Sequence, residues 1–152
     1  MADTPRRVRE AAPAYRVDVL GGIMGGAGVP VLDAIRLVGR GLPWSALERF
    51  RRAAGWSLAE LAPLIQVPLR TLDRRRRERR LRPDESDRLV RLARVFQQAR
   101  ALFEGDGAGA RRWLETPVPA FAGLAPVELV TTDPGAREVE ALIGRLEHGI
   151  PS

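Results

Sequence analysis

Arginine dominates the chemistry that this sequence offers between positions 70 and 82, where eight of the residues are arginine. A guanidinium group is a planar fork of N–H donors, suited to phosphate oxygens and to the edge of guanine. Eight arginines cannot all face one way on a helix, so some must bind phosphates or neighbouring acids. Residues near the start of such a helix reach bases best. We therefore expect base contacts from Leu69, Arg70 and Arg74, and phosphate contacts from Thr71, Arg75 and Arg77.

The residues around these arginines predict a helix-turn-helix that positions them. Ser57 and Glu60 have the S-x-x-E spacing of a capping box, which predicts that a helix begins directly after Ser57. Gln66 then marks a break, and Pro68 suits the first turn of a second helix, in which Leu72 points inward. A charged helix face by itself is usually just solvated, or binds RNA or an acidic protein. The two helices and the break between them favour duplex DNA.

The charge balance differs between the two parts of the 152-residue chain. Residues 1–99 contain 20 arginines and 11 acidic residues, a net charge of +9, whereas residues 100–152 contain 5 and 8, a net charge of −3. The basic part suits a polyanion, and the mildly acidic part suits another protein. Because the chain has no lysine, the clustering of arginine is more informative than its abundance.

Few residues are available for catalysis or metal binding. The absence of cysteine excludes disulfides, thiol catalysis and cysteine-based zinc sites. His148 is the single histidine, and with Glu147 beside it makes neither a catalytic nor a metal-binding signature. We expect no enzyme activity, no metal and no cofactor. The sequence has no apolar run of the roughly 18 residues that a membrane helix needs and no signal peptide, so we expect a cytoplasmic protein without a membrane partner.

Hydrophobic spacing and helix stop signals predict an all-α fold. Residues 1–30 are expected to be a flexible N-terminal segment. They include a glycine-rich stretch, 19–29, that resembles a phosphate-binding loop but lacks its lysine. Residues 31–99 are expected to form a helix-turn-helix DNA-binding region, including the start of a long helix, and residues 100–152 a small helical domain. Shorter helices are expected at 31–38, 43–54, 106–114 and 126–129.

Two helices carry most of the expected core of the second half. The long helix, 84–104, has an apolar stripe that we interpret as core, with a dimer seam as the alternative; its members are Leu89, Leu92, Phe96, Ala99 and Phe103. The last helix is expected to be capped by Asp133, with Pro134 in its first turn. Its buried side is expected to consist of Val139, Leu142, Ile143 and Leu146, and Trp44, Trp56 and Trp113 are expected to anchor the core or contacts between helices.

The chain resembles the antitoxins of the Xre/MbcA/ParS type, which pair with RES-domain toxins. The resemblance spans about 41–149 and is carried by the segments LPWSALERF, RTLDRRRR, LRPDESDRLVRLARVFQQA and ARRWLETPVPAFAGLAPVELVTTDPGAREVEALIGRLEHGI. It implies a helix-turn-helix of the Xre/Cro type and a type II toxin–antitoxin module. In such modules the C-terminal domain binds the cognate toxin, and the helix-turn-helix binds operator DNA and represses the shared operon. It also implies a homodimer within a hetero-oligomeric complex.

The resemblance further implies how the toxin is neutralised. RES toxins resemble ADP-ribosyltransferases and degrade NAD, and the C-terminal end of the antitoxin lies in or over the active-site cleft. Carried onto this chain, the toxin-binding residues are Trp113, Arg145, Glu147, His148, Gly149 and Ile150. A tail bearing Glu147 and the terminal carboxylate is expected to occupy an anion site of the toxin. The alternatives are a DNA-binding transcriptional regulator without a toxin partner and an enzyme acting on nucleic acid, for which the sequence offers no catalytic residues.

Overall fold

The computed structural model describes residues 16–149, and most of these residues are helical. The expected all-α fold is confirmed, with one addition: two strands of two residues each pair antiparallel, Arg16 opposite Pro30. The described elements are β1 (Arg16–Val17), α1 (Asp18–Met24), β2 (Val29–Pro30), α2 (Val31–Arg40), α3 (Trp44–Ala54), α4 (Leu58–Leu64), α5 (Leu69–Glu78), α6 (Pro83–Leu102), α7 (Gly107–Glu115), a 3-10 turn (Pro119–Phe121), α8 (Pro126–Leu129) and α9 (Asp133–Glu147).

Residues 16–30 contain more regular structure than the sequence suggested. Residues 1–15 of the expected flexible segment lie outside the described residues. The interpretation of 19–29 as a flexible loop is wrong for its first part, because α1 occupies it and buries Val19, Leu20 and Ile23. These three apolar side chains lie on one side of a short helix, and glycines between them masked that spacing. α1 packs against α3 and α6.

The helices around the turn at 65–68 form where local signals placed them. Ser57 and Glu60 make both hydrogen bonds of the capping box, and α4 begins at Leu58. Pro68 lies one position earlier than expected, as the N-cap of α5. α3 ends at Gly55, whose positive φ of 79° closes the helix in the left-handed conformation.

α6 lies at the centre of the molecule and packs against α1, α2, α7 and α9. The expected stripe is core: Leu89, Leu92 and Ala99 are fully buried within the single chain and Phe96 nearly so, while Phe103 is half-buried. The alternative of a dimer seam along this stripe is therefore wrong, because the same face cannot be buried in its own chain and also cover a second copy. The C-terminal helix also needs one correction, since Thr132 rather than Asp133 caps α9 by accepting a hydrogen bond from the Gly135 N–H.

An aromatic cluster joins the two halves of the chain. The rings of Phe50, Trp56 and Phe96 pack with centroids 5.7 to 5.9 Å apart, in tilted and edge-to-face arrangements that suit the ring quadrupoles. Trp56 is the expected core anchor, and its indole N–H donates to the Glu115 carboxylate of α7 at 2.7 Å. Trp44 and Trp113 are half-buried against the same core.

Candidate nucleic-acid and partner-binding surfaces

The turn between α4 and α5 aims the start of α5 outward. Gln66 adopts the left-handed conformation with φ of 54°, and Val67 is buried directly after it. Leu72, one turn into α5, is fully buried, which fixes the face that α5 turns to the core. The opposite face is therefore presented to solvent from its first residue.

Most of the residues expected to contact DNA lie on that outward face. Leu69 is 43% exposed, and Arg70, Arg74 and Arg77 are exposed, while Thr71 is half-buried. Arg74 has only a long contact of 4.0 Å with Glu78, so its guanidinium remains available to another acceptor. At the start of α5, Leu69 is suited to contact a thymine methyl group, and Arg70 and Arg74 are suited to donate hydrogen bonds to guanine.

Arg75 is the exception, and the expectation that it contacts phosphate is wrong in this structure. Only 3% of its side chain is exposed, because it lies against Glu85 of α6 and donates three hydrogen bonds of 2.8 to 3.0 Å to that carboxylate. A fourth goes to Glu78 at 3.1 Å. Burial alone would raise the pKa of Glu85, but the hydrogen bonds from Arg75 and from the Arg82 backbone N–H hold that pKa below its ordinary value.

Arg80 is another arginine of the run with a structural role. Its guanidinium donates to the Gly41 carbonyl at 2.9 Å, so it ties the end of α5 to the end of α2. Gly41 has φ of 85° and lies against the Leu81 carbonyl. Beside it, the Leu81 N–H donates a hydrogen bond of 2.8 Å to the Leu42 carbonyl. The segment after α5 is thereby fixed to the loop before α3.

A basic groove beside α5 escaped the sequence analysis. It is lined by Pro43, Trp44, Ser45, Glu48, Arg52, Arg76 and Arg79. The three arginines are exposed, whereas the single carboxylate is already paired: a hydrogen bond from Arg51 lowers the pKa of Glu48, and Arg52 and Arg76 lower it further. The groove is net positive and lies between α3 and α5. Arg52 was missed because it belongs to a helix 18 positions before Arg70, and only the fold brings the two helices together.

The expected toxin-binding residues lie in two places. Glu147, His148 and Gly149 are exposed at the end of α9, and Arg145 is half-buried there, whereas Ile150 lies outside the described residues. Trp113, on α7, packs against the hydrophobic core. Leu146 was expected to be buried, but it is 40% exposed, because it lies in the last turn of α9, beyond the buried Ile143. The end of α9 therefore presents an apolar side chain between charged ones.

Polar contacts join the two surfaces through α6 and α7. Arg94 and Gln98 of α6 both donate to the Glu140 carboxylate of α9. Arg111 of α7 donates to Glu60 at 3.0 Å, to Glu115 and to the Gly55 carbonyl, and its guanidinium lies 5.9 Å from the Trp56 ring centroid. Glu60 is thus shared between the capping box of α4 and the C-terminal part of the chain.

The described residues include no cluster of three or more histidine or acidic side chains placed to hold a metal ion. Among the same residues, no helix combines the length and the apolar character needed to cross a membrane.

Comparison with known families matches both parts of the chain. Residues 33–94 match the model of the antitoxin Xre-like helix-turn-helix domain, and residues 98–149 match the antitoxin Xre/MbcA/ParS C-terminal toxin-binding domain. The first match covers α5 and the groove beside it, and the second covers α7 to α9.

Individual relatives align over most of their length. A protein named antitoxin Xre from Yersinia enterocolitica is 38% identical over 140 residues, which cover 91% of this chain and 84% of the relative. An antitoxin Xre from Photorhabdus laumondii is 32% identical, over 81% of this chain and 82% of the relative. A Sphingobium protein named Prs ADP-ribosylating antitoxin is 24% identical, over 78% and 80%.

Proposed function

Because the chain belongs to the Xre antitoxin family, whose members are antitoxins rather than enzymes, we propose that it neutralises a RES-domain toxin that degrades NAD. The observation that carries this proposal is the match of 98–149 to a toxin-binding domain, together with an exposed helix end at residues 146–149. The name of the Sphingobium relative refers to ADP-ribosylation, a reaction whose usual donor is NAD. That name supports a toxin whose cleft binds NAD.

The neutralising element is the end of α9, which covers the toxin's active site. Its exposed side chains combine an apolar contact, Leu146, with the carboxylate of Glu147 and the imidazole of His148. A cleft that binds the phosphates of NAD needs positive charge, and a carboxylate projecting from a helix end can occupy such a site. Charge-assisted hydrogen bonds of this kind are roughly twice as strong as neutral ones.

The test is to delete residues 145–152 and measure NAD loss in the presence of the co-expressed toxin. The deletion removes only the last three residues of α9, and none of these is fully buried, so the fold is expected to persist. We expect the truncated protein to lose protection. Glu138→Ala, an exposed change on the same helix, is the matched control and should protect fully. Full protection by the truncated protein would overturn the proposed blocking role.

The second activity is repression of its own operon by a homodimer bound to operator DNA in the cytoplasm. Leu69, Arg70 and Arg74 contact bases, while Thr71 and Arg77 contact phosphates, with Arg52, Arg76 and Arg79 of the basic groove extending the phosphate contacts. Each arginine that neutralises a phosphate contributes about −0.9 to the slope of log affinity against log salt. We expect specific binding to DNA upstream of its own gene. Replacing Arg77 with alanine should make the slope of log affinity against log salt less negative.

The competing candidate is a transcriptional regulator that has no toxin partner. Both candidates need the outward face of α5, but only the antitoxin needs the end of α9. Co-expression with the product of an adjacent RES-type reading frame separates them, because the antitoxin must co-purify with that product. Failure to co-purify, with specific DNA binding intact, would favour the regulator.

We place the boundary between the two activities within α6, with the DNA-binding region at 31–99 and the toxin-binding domain at 100–152. The two family matches end at 94 and begin at 98, which supports a boundary within α6 a few residues before position 100.

A further inference from the structure

The segment that joins α7 to α8 is an apolar surface within the part of the chain that matches a toxin-binding domain. Residues 117–127 read PVPAFAGLAPV, 11 consecutive positions without a polar side chain. Positions 117, 119, 120 and 122–124 are exposed, and we call residues 117–124 the apolar loop. Within 98–149, the large apolar side chains that are exposed are Leu124, at 48%, and Leu146 at the end of α9. The loop therefore presents apolar surface that the single chain leaves uncovered.

Hydrogen bonds within the apolar loop hold its backbone in one shape. The Val118 N–H donates to the Leu124 carbonyl at 3.1 Å, which closes the loop. Inside it, the N–H groups of Phe121 and Gly123 donate to the Val118 carbonyl at 3.1 and 3.2 Å. Pro119 restricts the backbone further, because its ring fixes φ. A surface that is already ordered loses less conformational entropy when it binds a partner.

One side of the loop is attached to the core, which leaves the other side to solvent. Phe121 packs against the hydrophobic core, and Ala125, directly after the loop, is buried. The Ala125 N–H donates to the Glu128 carboxylate at 2.7 Å, which fixes the loop to the start of α8. Ala122 has φ of 53°, a conformation that alanine rarely adopts, so the surrounding hydrogen bonds must hold the turn there. Leu124 is thus exposed on a fixed support.

The chemistry of the loop fits a protein rather than a nucleic acid. Because it has no cation and no side-chain donor, it can neither neutralise a phosphate nor read the edge of a base. Interface cores between proteins are depleted in charge and are surrounded by a polar rim. Arg112 and Glu115 before the loop and Glu128 after it are exposed, and they place charges on either side. Since 98–149 matches a toxin-binding domain, the toxin is the protein that we expect on this surface.

We propose that the apolar loop is the anchor by which the toxin is held, with Leu124 buried in an apolar pocket of the toxin. This inference rests on the proposed function, in which the end of α9 blocks the active site. The loop leads into α8, and the Leu129 carbonyl at the end of α8 lies against Gly135 in the first turn of α9. From there α9 runs about 18 Å to its exposed end at Glu147. Holding and blocking are therefore performed by different segments, which can be altered one at a time.

The first test compares the affinities of full-length variants for the purified toxin encoded by the adjacent RES-type reading frame, by biolayer interferometry. Leu124→Asp places a charge in the anchor and should raise the dissociation constant by about 30-fold or more, as for a hot-spot residue. Ala120→Arg adds a charge to the same surface without removing a large side chain, and should raise it by about 10-fold. Leu32→Asp, the same type of change at a 65% exposed position of α2, is the matched control and should bind as the wild type does. Unchanged thermal melting would show that the variants retain the fold.

The second test separates holding from blocking by varying the antitoxin concentration in the assay of NAD loss. Leu124→Asp keeps the end of α9, so a large excess of this variant should restore full protection. Deletion of 145–152 keeps the anchor, so the truncated protein should still bind the toxin but should fail to protect at any concentration. A single surface that both holds and blocks would instead make the two variants behave alike.

Three results would overturn the anchor: wild-type affinity of both Leu124→Asp and Ala120→Arg, an equal loss with Leu32→Asp, or loss of binding on deletion of 145–152. Failure of the unaltered protein to bind the toxin would contradict the proposed function itself, and the anchor with it. If the loop met a second copy of this chain, Leu124→Asp would change the oligomeric state in sedimentation equilibrium without toxin. We expect no such change, and observing one would assign the loop to that contact instead.

Discussion

Replacing Arg75 with alanine should destabilise the fold rather than weaken a DNA contact. In the structure Arg75 and Glu85 are 3% and 4% exposed, and the guanidinium makes three of the hydrogen bonds that the Glu85 carboxylate accepts. Without Arg75, the backbone N–H of Arg82 is the remaining donor to that carboxylate among the described contacts. Glu85 must then stay charged without its partner or take up a proton.

Protonation of Glu85 limits the loss in the free energy of unfolding. A glutamate with an ordinary pKa of about 4.3 is protonated at pH 7 at a cost of about 3.7 kcal/mol, since each pH unit corresponds to about 1.36 kcal/mol. This agrees with the roughly 3–5 kcal/mol that results when one partner of a buried ion pair is removed. A domain of this size has a free energy of unfolding of about 5–15 kcal/mol, so the variant should fold with a much smaller margin.

Urea unfolding followed by tryptophan fluorescence measures this effect, because Trp56 is buried in the core. Arg76→Ala is the matched control: it is the next residue of the same helix, it is exposed, and its loss should cost within about 0.5 kcal/mol. Replacing both members of the pair, Arg75→Met/Glu85→Met, should recover most of the stability, since it removes the unpaired buried charge. Equal costs for Arg75→Ala and Arg76→Ala would refute the burial argument.

The same pair predicts a pH dependence with a definite sign. The folded-state pKa of Glu85 lies below its unfolded value, so its stabilising contribution is fully present above about pH 4.3 and is lost as the pH falls through the folded pKa. Arg75→Met/Glu85→Met should lack this part of the acid sensitivity. Its salt slope for DNA binding should equal that of the wild type, because a buried arginine contacts no phosphate.

Other substitutions test the DNA surface and the turns that position it. Arg70→Ala or Arg74→Ala should cost about 1–3 kcal/mol on operator DNA and relax specificity at one base pair, whereas Arg79→Ala should weaken operator and random DNA equally in fluorescence anisotropy titrations. The same loss on both DNAs for all three would contradict the assignment of base contacts. Ser57→Ala should lower the free energy of unfolding by about 1 kcal/mol, since it removes half of the capping box. Gly41→Ala should cost at least about 2 kcal/mol in urea unfolding, because φ is 85° there and a Cβ would lie 2.0 Å from the Leu81 carbonyl oxygen.

Features set by short-range signals were predictable from the sequence. The capping box at Ser57 and the stripe of α6 each depend on residues a few positions apart, and each was confirmed. α1 was missed because glycine lowers helix propensity, and its burial against α3 and α6 supplies the stabilisation that the local sequence lacks. The cap of α9 was placed one residue late, since Thr132 and Asp133 are both good capping residues.

The arginine run shows where residue type stops being informative. Arg75 lies three positions after Leu72, and residues three apart share a helix face, so the inward turn of Leu72 was a signal that Arg75 also faces inward. The carboxylate that receives it, Glu85, comes from the next helix, and local spacing does not reveal that pairing. Arg80 likewise meets Gly41 across 39 positions. Long-range partners thus decide which arginines remain free for DNA.

α6 determines which substitutions can separate DNA binding from toxin binding. Near its start Glu85 holds Arg75 of α5, and further along Arg94 donates to Glu140 of α9, so one rigid helix supports both surfaces. A change in α6 shifts or loosens both supports at once, and loss of both activities would then say nothing about either contact. Arg70 on α5 and Glu147 on α9 are exposed at the two surfaces. Because their replacement leaves α6 and its ion pairs intact, selective effects of Arg70→Ala on DNA and of Glu147→Ala on toxin can be assigned to the contacts themselves.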